Sequence, residues 1–485
     1  MWAGSIGRIL VTTSTVSRAT QRWVLVLGAV ASMMAALDTL VVATALGTIR
    51  EDLDASLATL EWTVNGYNLS FAVLLITAAV LGDRFGRRRM FAVGLGVFVA
   101  GSAACAASGS VGVLIAARVV QGVGAALLMS LALTLVSAAF PAERRGWAIG
   151  VLEGVTGLAV ACGPLIGGAI AEGLSWQWIF WVNVPLGLLA IPLALTRIPE
   201  SFGSDTAVDG VGLLLVTGGA LGVVWGLVRG NIAGWSSPEV LSTLGGGVVL
   251  IAVFAVWESR TRTPMFPVRM FTSRGFAAGN TAIFLTYAAL FGAVFFYAQF
   301  MQLVFHYGPL GAGLRLLPWT LTLFFCAPIA GALADRVGER PIMAVGLLLQ
   351  AVGMGWLALI ADPAMAYGAL VPPLVLSGIG VSMAIPTAQS AVVGAVEEGA
   401  IGKAAGANSM MRELGGVFGI AVVVAVFAGF GGYASAADFV AGFVPAVAVG
   451  AALSLCGAVV ALALPGRAAA VPSPADTGEF AKVLE

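Results

Sequence analysis

The chain has 485 residues, of which 59% are hydrophobic and only 10% charged, and its mean hydropathy is +1.00. A soluble protein of this length carries about a quarter of its residues as charged side chains, so a water-soluble globular protein is excluded and a lipid bilayer is the expected solvent. Basic and acidic residues balance at 24 each, which gives no basic surface for a nucleic-acid partner.

Long apolar runs follow one another along the chain from Trp23 onwards. About 20 apolar residues cross the hydrocarbon core as a helix, and a helix satisfies its own backbone N–H and C=O groups in lipid. The chain is therefore predicted to be an all-α, multi-pass membrane protein with fourteen transmembrane helices. The predicted helices lie near residues 23–47, 61–81, 90–108, 112–139, 146–172, 178–196, 211–229, 239–257, 276–304, 312–333, 341–361, 368–394, 404–430 and 440–464.

The distribution of Lys and Arg predicts the orientation of these helices. If the N-terminus is cytoplasmic, most of the 24 basic residues fall in cytoplasmic segments, as the positive-inside rule requires. We therefore expect both termini in the cytoplasm and the protein in the cell (inner) membrane. The first apolar run is too long for the core of a signal peptide, so we interpret it as a retained helix.

Two charges lie within the first and fourth predicted helices, where a charge is costly unless it is paired or faces water. At 1.5 Å per residue, Asp38 lies roughly 22 Å from the cytoplasmic end, and Arg118 lies in the same outer half of its helix. A contact between the carboxylate and the guanidinium is therefore allowed. Such a pair serves either proton coupling or a static salt bridge, and we favour proton coupling.

A charged segment between the second and third predicted helices recurs between the tenth and eleventh. The second copy lies 252 residues later and keeps an Asp-Arg pair, a glycine and an arginine at the same offsets. One copy alone would be explained as a basic loop on the cytoplasmic side, whereas two matched copies indicate internal duplication. The residues expected to control gating are Gly82, Asp83, Arg84, Gly86 and Arg87 in the first copy and Asp335, Arg336 and Arg340 in the second.

The two charged segments divide the chain, because each follows the second helix of a set of six. This layout predicts two parallel repeats with two further helices inserted between them. The predicted parts are an N-terminal six-helix bundle (1–198), a connector with two inserted helices (199–262), a C-terminal six-helix bundle (263–466) and a disordered cytoplasmic tail (467–485).

Further charges lie in the fifth and thirteenth predicted helices, each roughly 10–14 Å from the cytoplasmic end. The residues predicted to line a central substrate cavity are Glu153, Glu413, Arg412 and Gln121. The alternatives are that Glu153 extends towards the inner membrane surface, and that Glu413 is tied locally to Lys403 or Arg412. The proton-coupling candidates are Asp38, Arg118 and Glu413.

Glycine and proline are concentrated in the fifth predicted helix. Proline removes a backbone donor and kinks a helix, while glycines leave a flat face that another helix approaches closely. We favour a pivot between the two halves over generic glycine-rich packing. The residues of this predicted hinge are Gly157, Gly163, Pro164, Gly167 and Gly168.

The sequence shows no pattern that favours an enzyme or a metalloprotein. The four cysteines lie in apolar runs without the spacing of metal ligands, and His306 is the one histidine. A membrane enzyme or receptor would also need a catalytic cluster or a sizeable soluble domain. We find no P-loop, so ATP is not the expected energy source, and we predict neither a metal nor another cofactor.

Together these segments resemble the major facilitator superfamily, and specifically its fourteen-helix drug–proton antiporter branch, over residues 23–464. Residues 82–88 resemble the cytoplasmic loop motif, which in the family forms a charge relay that locks the two halves in one state. Residues 118–122 resemble the helix 4 motif linked to proton transfer. Residues 157–168 resemble the helix 5 antiporter motif, which is associated with exporters rather than uptake symporters.

Other parts of the sequence fit the same branch less completely. Residues 37–46 resemble the helix 1 motif, but Ala43 and Gly47 replace its usual Asn and Pro. Residues 178–185 and 412–416 are typical of the branch. Glu153, by contrast, matches no motif of the family, so its expected role is inferred from physics alone.

The resemblance implies a proton-coupled efflux transporter of lipophilic drugs or antibiotics, cationic ones included, that works by alternating access. Asp38 is the expected protonation site, and Arg118 is expected to stabilise its charged form. Asp83 and Arg87 are expected to stabilise the outward-facing state. The alternative is an exporter or symporter of one specific metabolite. The expected partners are a small-molecule substrate, protons and the lipid bilayer, and the expected state is a monomer.

Overall fold

Helices form the regular structure of the described chain, in agreement with the predicted all-α fold. The computed structural model describes residues 17–55, 57–173, 175–203, 209–261 and 268–466, so the predicted tail and the boundary at 262 lie outside the described residues. The α-helices are α1 (Arg18–Asp52), α2 (Leu57–Phe85), α3 (Arg87–Ala106), α4 (Val111–Ala139), α5 (Ala142–Gly173), α6 (Trp178–Trp181), α7 (Asn183–Arg197), α8 (Gly210–Ala233), α9 (Pro238–Arg260), α10 (Arg274–Leu303), α11 (Pro309–Val337), α12 (Glu339–Ile360), α13 (Tyr367–Gly394), α14 (Ile401–Phe430) and α15 (Ala436–Ala461).

The number of helices long enough to cross a membrane agrees with the predicted fourteen. Thirteen apolar segments of the described chain are long enough to do so, and one of them contains both α6 and α7. Helix α5 has 32 residues and adds a fourteenth crossing. Because the connections are short, consecutive crossings run in opposite directions.

Polar residues define where several of these helices begin. Ser17, Ser110, Ser237 and Ser435 each accept a hydrogen bond from a backbone N–H in the first turn of α1, α4, α9 and α15. Asp209 does the same for α8. Such N-caps bond to backbone N–H groups of the first turn that have no partner inside the helix. They therefore define the residue at which each apolar helix begins.

The two charged segments fold into the same tight turn, which supports the predicted duplication. Gly86 separates α2 from α3 with φ +102°, and Gly338 separates α11 from α12 with φ +93°. Each glycine N–H donates to the carbonyl of the residue four positions earlier, Gly82 or Ala334. A side chain is disfavoured at such φ values, so both copies need glycine at this position.

Equivalent glycines also set equivalent helix crossings in the two repeats. A Cβ atom on Gly122 of α4 would lie 2.5 Å from the carbonyl oxygen of Tyr67 on α2. A Cβ atom on Gly378 of α13 would lie 2.6 Å from the carbonyl oxygen of Trp319 on α11. Small residues allow such close approach in membranes. Equivalent positions of the two repeats are therefore 252 residues apart in α2 and α11, and 256 residues apart in α4 and α13.

The helices before and after the inserted pair meet at one end of the molecule, which we call the basic end because it carries the turns at Gly86 and Gly338. There α5 crosses α11, where a Cβ atom on Gly331 would lie 2.1 Å from the carbonyl oxygen of Gly146. The pseudo-equivalent crossing joins α14 to α2, where a Cβ atom on Gly406 would lie 2.6 Å from the Cβ of Ala79. The first group (α1–α7) and second group (α10–α15) are thus in close contact at this end.

The inserted helices α8 and α9 pack on each other and against both groups. Trp225 of α8 lies with its ring centroid 5.2 Å from that of Trp62 on α2. Asn231 of α8 donates a hydrogen bond of 3.1 Å to the carbonyl oxygen of Ala421 on α14. Helix α8 therefore lies along the α2–α14 side of the contact between the groups.

We predict that Gly331→Val will lower the stability of the protein, because its new Cβ atom would collide with the backbone of α5. Overpacking of this kind costs about 1–3 kcal/mol. The matched control is Gly96→Val in α3, where a Cβ atom would meet nothing within 4 Å. Thermal unfolding in detergent should show a clearly lower melting temperature for Gly331→Val and an unchanged one for Gly96→Val. Equal melting temperatures for the two variants would contradict the close α5–α11 contact.

Candidate functional site

The two charges predicted to meet within the membrane are in direct contact. Nη1 of Arg118 on α4 donates to Oδ2 of Asp38 on α1, and both side chains are fully buried. Nε of Arg118 donates to the carbonyl oxygen of Thr63 on α2, at 2.9 Å. The pair therefore joins the first, second and fourth helices of the chain.

Uncharged donors complete the surroundings of the Asp38 carboxylate. Its Oδ1 accepts from Nε2 of Gln121 at 2.8 Å and from Nδ2 of Asn183 at 3.1 Å. Oγ of Ser102 accepts from the same two amides, at 2.6 and 3.2 Å. We call Asp38, Ser102, Arg118, Gln121 and Asn183 the Asp38 cluster. A guanidinium and two amides donate to this carboxylate, and charge-assisted bonds of this kind are the stronger ones.

Aromatic rings enclose the guanidinium of the Asp38 cluster. The Cζ atom of Arg118 lies 4.1 Å from the ring centroid of Tyr67 and 5.7 Å from that of Phe180. The Tyr67 hydroxyl donates to the carbonyl oxygen of Ala35, at 3.1 Å. Ring faces attract the cation, and they leave apolar surroundings in which an unpaired charge is costly.

The structure corrects one placement and adds residues that the sequence did not indicate. Gln121 was predicted to line the substrate cavity, but its side chain is fully buried in the Asp38 cluster. Ser102, Asn183 and Tyr67 were not predicted as site residues. A polar residue within the apolar segment 178–185 was the available signal for Asn183.

Among the described residues of α10–α15, the Asp38 cluster has no counterpart. By the register of the glycine crossings, the positions of Tyr67, Arg118 and Gln121 correspond to Trp319, Leu374 and Ser377. Both Trp319 and Leu374 belong to an apolar core. The two repeats thus share helix packing but differ at these positions, where the first repeat holds a buried ion pair and the second an apolar core.

Glu153 joins the first and second groups in the interior of the molecule. It lies on α5, is only 4% exposed, and its Oε1 accepts a hydrogen bond of 2.9 Å from Nε2 of Gln389 on α13. The alternative that Glu153 extends to the membrane surface is therefore wrong. Gln389 was not predicted, although it is a polar residue in an apolar helix.

Arg412 and Glu413 form a local pair on α14. Nε of Arg412 donates to Oε1 of Glu413 at 3.1 Å, and the guanidinium lies 5.6 Å from the ring centroid of Tyr287 on α10. The local tie considered for Glu413 is thus present. Glu413 keeps 21% of its side chain exposed and Arg412 only 6%. Arg412 also interacts electrostatically with Glu153.

The two interior carboxylates do not lie at the same level. Gly146 of α5 and Gly402 of α14 occupy equivalent places in the repeat, each against an aspartate of the other group. Glu153 follows its glycine by seven positions and Glu413 follows its glycine by eleven. At 1.5 Å per residue, Glu413 lies about 6 Å farther from the basic end.

Each of the two repeated turns is accompanied by an aspartate that contacts the first turns of a helix in the other group. Asp335 of α11 accepts hydrogen bonds of 2.9 Å from the backbone N–H groups of Gly146 and Trp147 in α5. Asp83 of α2 pairs with Arg87 at 2.8 Å and lies against Gly402 in α14. Carboxylates are stabilised near helix N-termini, so both aspartates hold the groups together at the basic end.

The other predicted gating residues are arranged differently in the two copies. Gly82 packs closely on Leu131 of α4, with 2.3 Å from its ideal Cβ position to a Leu131 methyl carbon. Arg84, Arg336 and Arg340 are exposed. The position of Arg87 is taken by Glu339 in the second copy, so Asp335 bonds to backbone groups where Asp83 bonds to a guanidinium.

The segment after α7 clamps the first turn, which the sequence did not indicate. Oε1 of Glu200 accepts from the backbone N–H of Arg88 at 2.9 Å. Its Oε2 lies 3.5 Å from Nε of both Arg88 and Arg89. The backbone N–H of Gly203 donates to the carbonyl of Asp83, at 2.9 Å. The connector is therefore attached to the residues that join the two groups.

The predicted hinge lies in an unbroken stretch of α5. Gly157 contacts α11 closely, because a Cβ atom there would lie 2.1 Å from Cδ2 of Leu323. Gly163, Pro164, Gly167 and Gly168 are helical, and the side-chain surroundings of the last three lie outside the described residues. The pivot remains a prediction.

Residues 28–420 match the Major Facilitator Superfamily. The chain is 37% identical over 404 residues to the tetracenomycin C resistance and export protein of Streptomyces glaucescens, covering 81% of this chain and 74% of that protein. It is 34% identical over 469 residues to the cephamycin export protein CmcT of Amycolatopsis lactamdurans, covering 95% of each. It is 32% identical over 413 residues to the multidrug resistance protein Stp of Mycobacterium tuberculosis, covering 84% and 76%.

Solved structures share the fold. The human organic anion transporter MFSD10 superposes with a TM-score of 0.66 at 17% identity, covering 91% of this chain and 99% of that one. The proton:xylose symporter XylE superposes with a TM-score of 0.65 at 13% identity, covering 90% and 94%. At such identities the likeness concerns the fold alone.

We predict that Asp38→Leu will destabilise the protein by about 3–5 kcal/mol, because it leaves the Arg118 guanidinium buried without its carboxylate. Thermal or denaturant unfolding in detergent measures the loss. The double variant Asp38→Leu/Arg118→Leu removes both charges and should be more stable than Asp38→Leu alone. Additive losses in the double variant would contradict a strongly coupled buried pair.

Proposed function

Because the chain belongs to the Major Facilitator Superfamily, we propose that it is a proton-coupled antiporter that exports lipophilic drugs or antibiotics by alternating access. The observation that carries this proposal is the buried Asp38–Arg118 pair, a single titratable carboxylate held by one cation and neutral donors. An ionisable group inside the membrane is by default a functional site.

Export is favoured by the relatives of the chain. The proteins named for tetracenomycin C resistance and export and for cephamycin export are similar to it over most of its length. The segment 157–168, which resembles the antiporter motif, favours the same direction. The second candidate is a carrier of one specific metabolite, which the relatives named for a single antibiotic would fit, whereas the relative named for multidrug resistance fits broad drug efflux.

The basic end is the proposed cytoplasmic side of the cell (inner) membrane. Arginines are concentrated there, in the turns after α2 and α11, as the positive-inside rule requires. The contact of the two groups at this end supports the proposal of a state closed to the cytoplasm. We propose that residues 1–198 and 263–466 rock against each other, with 199–262 as the connector, in a monomer.

Protonation of Asp38 is the proposed coupling step. The ionised carboxylate accepts from Arg118, Gln121 and Asn183 in the cytoplasm-closed state. A proton removes the charge that these donors stabilise, and a ligand that binds two states unequally shifts their populations. We therefore propose that protonation of Asp38 from outside favours opening to the cytoplasm. While Asp38 is ionised, Arg118 stabilises its charge.

The aspartates at the basic end are the proposed lock of the closed state. Asp335 holds the start of α5, and Asp83 with Arg87 lies at the start of α14. Opening to the cytoplasm separates these contacts. The clamp by Glu200 connects the lock to the segment that leads into α8.

We propose that the carboxylates of Glu153 and Glu413 attract cationic substrates electrostatically. Both carboxyl groups lie in the interior, on helices of different groups. Arg412 supplies a single positive charge beside them. A cation that enters between the groups would compensate the remaining negative charge, since unpaired charge is costly away from water.

The test is transport into proteoliposomes driven by a pH gradient, with a lipophilic fluorescent cation as substrate. We predict that wild type accumulates the dye and that Asp38→Asn binds it without accumulating it. The matched control is Asp362→Asn, which changes an exposed aspartate of the loop between α12 and α13. Accumulation by Asp38→Asn at the wild-type rate would show that coupling belongs to another residue.

A further inference from the structure

We propose that Glu153 is a second proton-binding site, occupied when the basic end is closed, and that in the open state its carboxylate binds the cationic group of the substrate. The exchange of a proton for a cation at Glu153 deepens the proposed function and rests on it. The presence of a proton on Glu153 in the closed state is argued separately, from the residues around this side chain.

The hydrogen bonds of the pair are incomplete if Glu153 is ionised. Gln389 is 1% exposed, and its Nε2 donates to Oε1 of Glu153. Oε1 of Gln389 is buried and has no hydrogen-bond partner among the described residues. Buried polar atoms are nearly always bonded, so this oxygen indicates a missing donor.

A proton on Glu153 supplies that donor. A carboxylic acid and a primary amide form two hydrogen bonds with each other, one from N–H to the carboxyl oxygen and one from the acid O–H to the amide oxygen. An ionised carboxylate accepts only, and can form just the first of these bonds. The neutral pair also avoids an uncompensated charge between α5 and α13.

The charges around Glu153 favour the same protonation state. Arg412 is the cation that interacts with it, but Nε of Arg412 already bonds to Glu413, at 3.1 Å. One cation therefore faces two carboxyl groups, and the more exposed Glu413 is the directly paired one. If both acids were ionised, the site would hold one net negative charge beside the nearly fully buried Glu153.

Other titratable groups on neighbouring helices have their own partners or stay neutral. Tyr287 of α10 lies beside Arg412. On the helices packed against α5, Asp38 and Arg118 are paired with each other, and Asp335 bonds to the first turns of α5. The remaining titratable group at this level of α11 is the thiol of Cys326, which contributes no positive charge. None of these groups is placed to replace the proton on Glu153.

The exchange follows from separation of the two groups. Opening at the cytoplasmic side breaks the Glu153–Gln389 bond and exposes the carboxyl group to water. The acid then releases its proton to the cytoplasm, and the carboxylate binds an ammonium or phosphonium cation in its place. Charge is conserved at the site, since one positive charge leaves as one arrives. Closure at the cytoplasmic side is favourable only when a proton or a bound cation neutralises Glu153.

Infrared difference spectroscopy on the purified full-length protein in lipid tests the occupancy. At neutral pH we expect a C=O stretching band of a protonated carboxylic acid that disappears in Glu153→Gln. The exchanged variant Glu153→Gln/Gln389→Glu keeps one acid and one amide, and should restore the band. Asp38→Asn should keep it. A wild-type spectrum without the band, or one unchanged in Glu153→Gln, would overturn the inference.

Proton release on addition of tetraphenylphosphonium, followed with a pH indicator in weak buffer, tests the exchange. Wild type should release one more proton per bound cation than Glu153→Gln does. Equal release would overturn the exchange at Glu153. The proposed function is tested separately. Normal transport by Asp38→Asn would contradict it, even if the infrared band still depended on Glu153.

Discussion

The structure depends on a carboxylate and a guanidinium that are buried together away from water. Neither Asp38 nor Arg118 could remain charged there alone, because the energy of an isolated charge in apolar surroundings exceeds what the packing of a few side chains provides. Asp38 and Arg118 lie on α1 and α4, and α2, α4 and α7 supply further hydrogen-bond partners to the pair. Ser102 of α3 bonds to the two amides that contact Asp38. The first group is thus organised around one charge that a proton can remove.

Gene duplication explains the shared framework but not the chemistry. The glycine turns at Gly86 and Gly338 and the crossings at Gly122 and Gly378 repeat closely. The charges do not repeat, since Leu374 stands where Arg118 would be expected. In the proposed mechanism, two similar bundles rock against each other and the proton site in the outer part belongs to the first bundle. In our proposal, closure of the contact between the bundles also requires that Glu153 be neutralised.

Helix positions and the common depth of Asp38 and Arg118 were predictable, whereas the relative depth of Glu153 and Glu413 and the rotation of the helices were not. The apolar runs predicted the fourteen crossings, and the rise per residue predicted the Asp38–Arg118 contact. Gln121 was assigned to the cavity although it faces Asp38, because nearly every face of these helices is apolar and amphipathicity gives no direction. Gln389 and Glu200 escaped prediction for a related reason, since their partners lie far away in sequence.

The central claim is that the charge of Asp38 controls the contact between the two groups at the basic end. Pulsed electron paramagnetic resonance between spin labels at positions 142 and 337, with the native cysteines replaced, measures that contact directly. Both positions are exposed, one at the start of α5 and one at the end of α11. We predict that acidification lengthens the distance in wild type, and that Asp38→Asn gives the longer distance at every pH. A distance independent of pH in wild type, or the same pH dependence in Asp38→Asn, would contradict the claim.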